Sequence, residues 1–527
     1  MLIRWKDRCL PALVFFAFFL VLLWRAPGLE FYLRSPDHGF QLSLGRQVLL
    51  GRFPFVDLFY HYGPLLAFTS AFGLWVSDSL VSETVICALG YAASVFVIHR
   101  LVSRYVSRVA GIVAPLLGLV LLSRFYKWYY WLFPLLALCC LLGYMDYPEL
   151  RERDRWLYVA GILGGLAGLY RFDLGIASLC FWAVCLLGLC LRPRNMRLLG
   201  RQLARFLAAF SLPFLLWCVV LVLHGGTLQD YLSATFQGGR GVVEEWTLPL
   251  PSFDWSNPLS QESGDAFAFL LLPLTDAACF LYGLWMEARH PGRFDLRYKV
   301  MTAVGLLGLG ILPQALFRAD VLHLLQVLPP ALIAGSLLVS ELWRATMLPE
   351  GNRRGRLFLR GIGVSYLAVV GLSVWGIRFY GGYDLSRWDS NPFPRYSQLS
   401  QGIHSGIDHP VAHLLSEVQN LTSEEDRILV VPLACHHYYF ADRPVSGFLV
   451  GFAPGVLDDD KWRLRNLRMI QEHPPSVVIV KDYFFRMQPT NRFRVYQPEL
   501  YAFLSTNYSQ VAYQQDGWML LTKPQGD

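Results

Sequence analysis

The sequence predicts a polytopic α-helical membrane protein of about eleven transmembrane helices, with a small C-terminal α/β domain on the outer face. Three observations carry that prediction. Only 16% of the 527 residues are charged and 54% are hydrophobic, where soluble domains carry about 25% charged residues. Segments 9–24, 206–223 and 357–377 each approach the roughly 20 apolar residues that span a bilayer. The basic residues fall in short clusters between the apolar runs, which is the positive-inside arrangement. That scatter also excludes a nucleic-acid partner, although the net charge is +7.

Six clusters set the orientation: Arg4–Lys6–Arg8, Arg100–Arg104–Arg108, Arg151–Arg153–Arg155, Arg192 to Arg205, Arg289 to Lys299, and Arg344 to Arg356. With all six in the cytoplasm, the chain between neighbouring clusters must leave and return. The expected spans are 9–27, 80–101, 107–123, 128–147, 156–170, 173–191, 203–224, 265–287, 300–317, 320–342 and 357–379. Segment 9–24 is followed by no small-x-small cleavage site and reads as an uncleaved first helix, not a signal peptide. The run 64–76 is short and begins with a proline, so it lies along the outer interface or re-enters. The domains expected are a transmembrane region, 1–379, with a first outer loop at 28–79, and an extracytoplasmic domain, 380–527. The N-terminus is then cytoplasmic and the membrane is the inner, plasma membrane.

Within the tail, the stretches Arg427–Pro432, Ser476–Val480 and Trp518–Thr522 read as strands between helical pieces at 408–421 and 498–505. The acidic run Asp458–Asp460 reads as a solvated turn. Nine of the ten cysteines lie in or beside apolar segments, where a thiol behaves as a small hydrophobe, and Cys435 is the tenth.

Charges the positive-inside rule leaves unexplained gather on the opposite face, and charges near helix ends mark function by default. Asp37 opens a segment of helical spacing from Gly39 to Gly51; it is either a general base beside a lipid head group or an N-terminal cap. Asp57 and His61 sit in the aromatic loop 51–64, at a spacing that shares a face if the stretch is helical. Arg124 and Lys127 precede Trp128–Trp131 at a helix turn, as phosphate ligands or as snorkelling side chains. Arg171 and Asp173, and Arg318 and Asp320 with His323, repeat one Arg-x-Asp spacing at two helix corners. Each is either a structural ion pair or an arginine preorganised for phosphate. His409 and His413 stand at i, i+4 without a third ligand, so no metal site is supported by a motif and no cofactor is expected.

The pattern Asp37-x-Gly39, Gly51-Arg-x-Pro54-x-x-Asp57 and Tyr62-Gly63-Pro64 resembles the GT-C superfamily of polyprenyl-phosphate-sugar glycosyltransferases. It is similar to the group of protein O-mannosyltransferases and lipid A aminoarabinose transferases. The segment GLAGLYRFDLG looks like that family's glycine-rich helix ending in a basic residue. The resemblance implies inverting transfer in one displacement, a polyprenyl-phosphate-linked sugar as donor, and the donor's phosphate as leaving group. Asp37 matches the catalytic acid and Asp57 the second acidic position. Many members carry two adjacent acids where this chain has Asp37-His38, which weakens metal dependence and leaves the acceptor open among protein, glycan and lipid.

Two other classes fit the composition. A transporter or flippase of a lipid-linked or anionic substrate would place charges at the midplane and show corresponding halves; here the charges gather at one face. A non-catalytic scaffold presenting the tail would tolerate Asp37→Asn. The topology itself is testable: accessibility tags near Arg104, Arg153, Arg197, Arg293 and Arg354 report cytoplasm, and tags after Gly226 and Asp384 report the other side. One tag on the wrong side breaks the assignment.

Overall fold

The structure is a computed structural model. It describes every residue except 1, 123, 147–149, 192–195, 259, 291–295, 348–362, 365–369, 372–390, 457–459, 482–491 and 525–527. Most of the expected span 357–379, the boundary at 379/380, and most of the run Asp458–Asp460 lie outside the described residues, as does part of three basic clusters. The chain divides into two compact units. Unit 1 comprises Met1–Ala26, Cys87–Phe214 and Thr247–Trp388; unit 2 comprises Pro27–Ile86, Leu215–Trp246 and Asp389–Asp527.

The helices in chain order are α1 (Leu2–Trp24), α2 (Leu29–Arg34), α3 (Pro36–Leu49), α4 (Pro64–Val76), α5 (Leu80–Tyr105), α6 (Ala110–Val120), α7 (Tyr129–Asp146) and α8 (Leu150–Tyr170). They continue with α9 (Phe172–Leu191), α10 (Met196–Leu223), α11 (Leu228–Trp246), α12 (Gln261–Arg289), α13 (Leu296–Ile311), α14 (Pro313–Leu316), α15 (Val321–Leu324) and α16 (Leu328–Met347). Among the described residues, seven stretches are long and apolar enough to cross a membrane: 80–105, 125–146, 172–189, 196–223, 261–289, 296–316 and 321–346. The fold is that of a polytopic helical membrane protein. Expected span 107–123 appears as α6, an apolar helix of 11 residues, and span 156–170 as the apolar end of α8, whose first turns carry Arg153, Asp154 and Arg155. Helix α4 has 13 residues, about 20 Å at 1.5 Å per residue, too short for the roughly 30 Å hydrocarbon layer.

In unit 1, helices α7, α8 and α9 pack in sequence, and α12, α13 and α16 form a second group. Small residues permit the closest crossings. Along α8, a side chain at Gly161, Gly164 or Gly165 would strike Phe206, Ala209 or Phe210 of α10. At the end of the same helix, Gly168 meets Gly175 of α9, so the turn between α8 and α9 is tight. Between α12 and α13, a side chain at Gly308 would strike the buried carboxyl of Asp276.

Unit 2 contains a four-stranded sheet of order β1-β2-β4-β3, from β1 (Ile428–Val431), β2 (Val477–Lys481), β3 (Gln510–Gln515) and β4 (Trp518–Thr522). Strands β1 and β2 are parallel, and the hairpin β3–β4 runs antiparallel to β2 through β4. All three expected strands are present; β3 is an addition. The helices Pro410–Leu421 and Pro498–Asn507 occupy the expected helical pieces. In the same unit α3 packs on α4 and on the helix His436–Ala441. A side chain at Gly39 would lie 2.3 Å from Cβ of His436, so only glycine lets these two helices touch. Ser43 Oγ donates to the carbonyl of Cys435. Arg46 pairs with Asp442, and Gln47 joins the carbonyl of Arg443 and the amide of Val445 at 3.1 and 3.0 Å.

His436 and His437 are buried in that packing. Burial, with His409 adding, pulls the His436 imidazole down to about 3, and burial beside His436 also holds His437 well below the ordinary range. Both stay neutral as pH falls through 6.5, while the unfolded chain takes up protons. The stability they contribute is therefore complete above 6.5 and is lost below it, by about 1.4 kcal/mol per pH unit for each. Thermal unfolding of the solubilised protein at pH 7.5 and pH 5.0 checks this: the apparent Tm falls at pH 5.0, and His436→Gln reduces the fall.

Candidate functional site

The candidate residues lie in both units. In unit 1 the structure brings together all seven expected there: Arg124, Lys127, Arg171, Asp173, Arg318, Asp320 and His323. The turn Phe125–Lys127 is held by Tyr91, whose hydroxyl donates to the carbonyl of Arg124 at 3.0 Å, and by Trp128, whose indole lies on Gly90 of α5. Lys127 is buried, its ammonium over the rings of Tyr126 and Tyr130 at 5.7 and 5.8 Å. That is cation–π packing, and it replaces the snorkelling alternative, which would carry the ammonium outward.

Tyr130 connects Lys127 to the corner between α8 and α9. Its ring lies 5.4 Å from the guanidinium of Arg171, and its hydroxyl donates to Asp173 at 3.4 Å. Arg171 donates twice to the Asp173 carboxylate, at 3.0 Å from both Nε and the terminal nitrogen. The two-point fork fixes the plane of the guanidinium.

The second Arg-x-Asp corner has the same chemistry and an added histidine. Arg318 Nε donates to Asp320 at 3.0 Å. Asp320 is the N-cap of α15, accepting the amide of His323 at 2.9 Å, and its same oxygen meets His323 Nδ1 at 2.8 Å. Burial opposes the charge of Asp320, yet the hydrogen bonds from His323 and the positive field of Arg124 hold its carboxyl below the usual range. Arg124 and Lys127 both act electrostatically on His323, which joins this corner to the first turn. With Nδ1 carrying the hydrogen toward Asp320, Nε2 of a neutral His323 is an acceptor; donation to a phosphate requires the imidazolium. Trp131 Nε1 donates to the carbonyl of Leu325 at 2.8 Å, tying α7 to the residues after α15.

In unit 2, Asp37 is the second residue of α3. The cap is Ser35, whose hydroxyl accepts the amide of His38 at 3.4 Å, so Asp37 is not the N-cap. A carboxylate in the first turn faces the positive end of the helix macrodipole. Asp37 is half-buried, and its charge is felt by the buried thiol of Cys435, which burial and Asp37 together push up.

Asp57 and His61 do not share a helical face, because residues 50–63 form turns and bridges and Phe55 has φ 69°. Asp57 instead closes its own loop: its carboxylate accepts the amide of Phe53 at 2.8 Å, and its carbonyl accepts from Arg52 at 2.9 Å. Arg52 also reaches the carbonyls of Val445 and Gly447. His61 stacks on Phe40 of α3, ring centroids 5.9 Å apart.

A third group in unit 2 is absent from the expected site. Glu83, in the first turn of α5, is buried and receives Gln41 Nε2 at 3.0 Å and Ser70 Oγ at 3.1 Å, with His38 Nε2 at 3.3 Å. An acid inside an apolar run was the available signal. Among the tail histidines, Nδ1 of His409 accepts the amide of Val411 and His413 pairs with Asp408, so their helical spacing serves local capping.

No protein-family model and no curated protein sequence matches the chain. Solved structures do, two of ArnT among them. ArnT from Cupriavidus metallidurans in the apo state aligns with a TM-score of 0.54 at 14% identity, over 98% of this chain and 99% of that one. The same protein bound to undecaprenyl phosphate aligns with a TM-score of 0.54 at 15% identity and the same coverage. The likeness is one of fold. This chain shares that fold over 98% of its length, and in fold the expected resemblance is borne out.

Asp320 gives a graded test of the second corner. Asn keeps the N-cap and Ala removes it, so Asp320→Ala is the more destabilising of the two by about 1 kcal/mol. Both loosen Arg318 and His323. Thermal unfolding of the three proteins in the same detergent ranks them wild type, Asn, Ala.

Proposed function

We propose that this chain is a membrane glycosyltransferase that moves a sugar from a polyprenyl-phosphate carrier to an acceptor at the extracytoplasmic face of the inner membrane. The observation that carries the reading is the unit 1 cluster, in which Arg124, Lys127, Arg171 and Arg318 gather from three separate stretches of sequence around Tyr130, Asp320 and His323. Four cations held by aromatic rings and carboxylates form a preorganised seat for phosphate oxygens, and such groups bind phosphate through charge-assisted hydrogen bonds. An ArnT structure of the same fold binds undecaprenyl phosphate, which supports a polyprenyl phosphate as the anion that sits there. The N-terminus is cytoplasmic in this reading and unit 2 carries the extracytoplasmic domain.

The reaction is a single inverting displacement. An acceptor hydroxyl attacks the anomeric carbon, the bond to the carrier phosphate breaks, and the proton of the hydroxyl passes to Asp37 as general base. That carboxylate lies in the first turn of α3, toward the positive end of the helix macrodipole. The cations take up the charge that develops on the leaving phosphate. Arg171 and Arg318 are each oriented by an aspartate two residues on, Arg171 through a two-point fork and Arg318 through Nε, so neither reorganises during the step. Asp57 shapes the loop between α3 and α4 and acts by positioning. The acceptor is a protein, glycan or lipid. If it is itself a phosphate it attacks already ionised, and Asp37 then positions it.

Sugar transfer from a polyprenyl-phosphate donor, measured in membranes with expression matched, tests the reading. Asp37→Asn folds and inserts like wild type because the amide is nearly isosteric, and transfer falls by roughly 10²–10⁴-fold. Carrier-lipid binding changes little in that variant and weakens in Arg171→Ala. Wild-type turnover in Asp37→Asn removes the base from the mechanism and, with it, most of the case for transfer.

A further inference from the structure

Helix α10 ends in unit 2 with its apolar side uncovered: Leu215, Leu216, Val219, Val222 and Leu223 are all exposed, Leu223 by 78%. In a membrane-spanning helix those side chains face acyl chains. The chain does not leave that level after the helix. Gly225 has φ 81° and the amide of Gly226 returns to the carbonyl of Leu221 at 2.9 Å, a six-to-one closure with a left-handed glycine. Residue 226 therefore stays at the helix end, and Leu228 follows two residues later, at most about 7 Å on. Helix α11 begins at the edge of the bilayer.

Its faces then sort themselves. Asp230 pairs with Lys461 at 2.9 Å and Ser233 accepts from Trp462 Nε1 at 3.2 Å, both on the helix Asp460–Glu472 of the same unit. Tyr231 packs against Phe55 and Trp217, ring centroids 4.9 and 6.1 Å away, and Ala234 is buried. The side turned away from all of these carries Leu228, Leu232 and Phe236, exposed by 48%, 39% and 51%. They stand at i, i+4 and i+8, one stripe of a helix. The helix is thus amphipathic, with its polar face paired within the unit and its exposed apolar stripe starting five residues after the exposed Leu223 of α10.

We infer that α11 is an interfacial membrane helix: the stripe Leu228–Leu232–Phe236 lies in the acyl-chain boundary of the leaflet that α10 enters at its C-terminal end. Helices of this type bury one face in the head-group boundary while the other stays polar. Through Asp230 and Ser233 it fixes the helix Asp460–Glu472 to the bilayer surface. The partner is phospholipid, and neither the donor nor the acceptor of the proposed reaction enters the argument.

The test uses the full-length wild-type protein in phosphatidylcholine nanodiscs doped with a phospholipid bearing a diazirine on the upper acyl chain. After photolysis and digestion, adducts are mapped by mass spectrometry. Expected are acyl adducts on Leu228, Leu232 and Phe236 at a yield matching that on Val219 and Leu223 of α10, with none on Tyr231 or Ala234. Labelling confined to α10, with residues 228–236 at background, overturns the proposal. So does a photoreactive residue at position 232 that captures a second copy of the chain and no lipid. Sugar transfer is not read, so a failed transferase assay leaves this result standing, and the reverse.

Discussion

The half of the molecule that carries Asp37 depends on a single buried acid. Burying a carboxyl group without partners costs several kcal/mol, and Glu83 is buried only because α3 and α4 bring it donors. Gln41 and His38 come from α3 and Ser70 from α4. The requirement runs both ways. His38 is the residue after Asp37, so turning its ring inward to Glu83 sets the rotation of α3 and sends Asp37 to another side of the helix. The same rotation lays Gly39 and Ser43 against the helix His436–Ala441. Where many members of the family it resembles have a second adjacent acid, this chain has a histidine whose partner acid arrives from α5.

Unit 1 solves the opposite problem, holding cations in place. Arg171 and Arg318 are each restrained by an aspartate on the same turn, and Lys127 by two tyrosine rings. A guanidinium whose plane is already fixed loses less entropy on meeting an anion than a free one. The ion-pair and phosphate-clamp readings of these corners are therefore compatible. The glycine stripe of α8 adds the backbone half of the arrangement, because the tight crossing of Gly168 and Gly175 brings Arg171 and Asp173 onto one short corner.

The legible parts of the sequence were those governed by local periodicity and solvent. Apolar runs located the long helices, and alternation or apolar continuity located β1, β2 and β4. Strand β3 escaped because QVAYQQ at 510–515 is an exposed edge strand, polar at most positions. The face sharing of Asp57 and His61 failed because Phe55, at positive φ, turns the chain before a helix can form. Glu83 was hidden by its surroundings: a lone acid in an apolar run announces a partner without saying which, and His38 is 45 residues away. Helix α11 was hidden by composition, since Gln229, Asp230, Ser233 and three glycines mask a three-residue apolar stripe. Each omission concerns a pairing over long sequence distance or a face that only neighbours define.

The clasp of α3 by the C-terminal part of the chain has a consequence in time. Arg46 and Asp442 are separated by 396 residues, and synthesis proceeds at about 5–20 residues per second. For roughly 20–80 seconds after α3 emerges, the surface formed by Gly39, Ser43, Arg46 and Gln47 has no companion. Nascent chains must carry that polar seam through insertion of every intervening helix before it closes. A segment translated 396 residues later is thus the one that finishes the first loop, and an mRNA truncated before that segment yields a protein whose opening segment never matures.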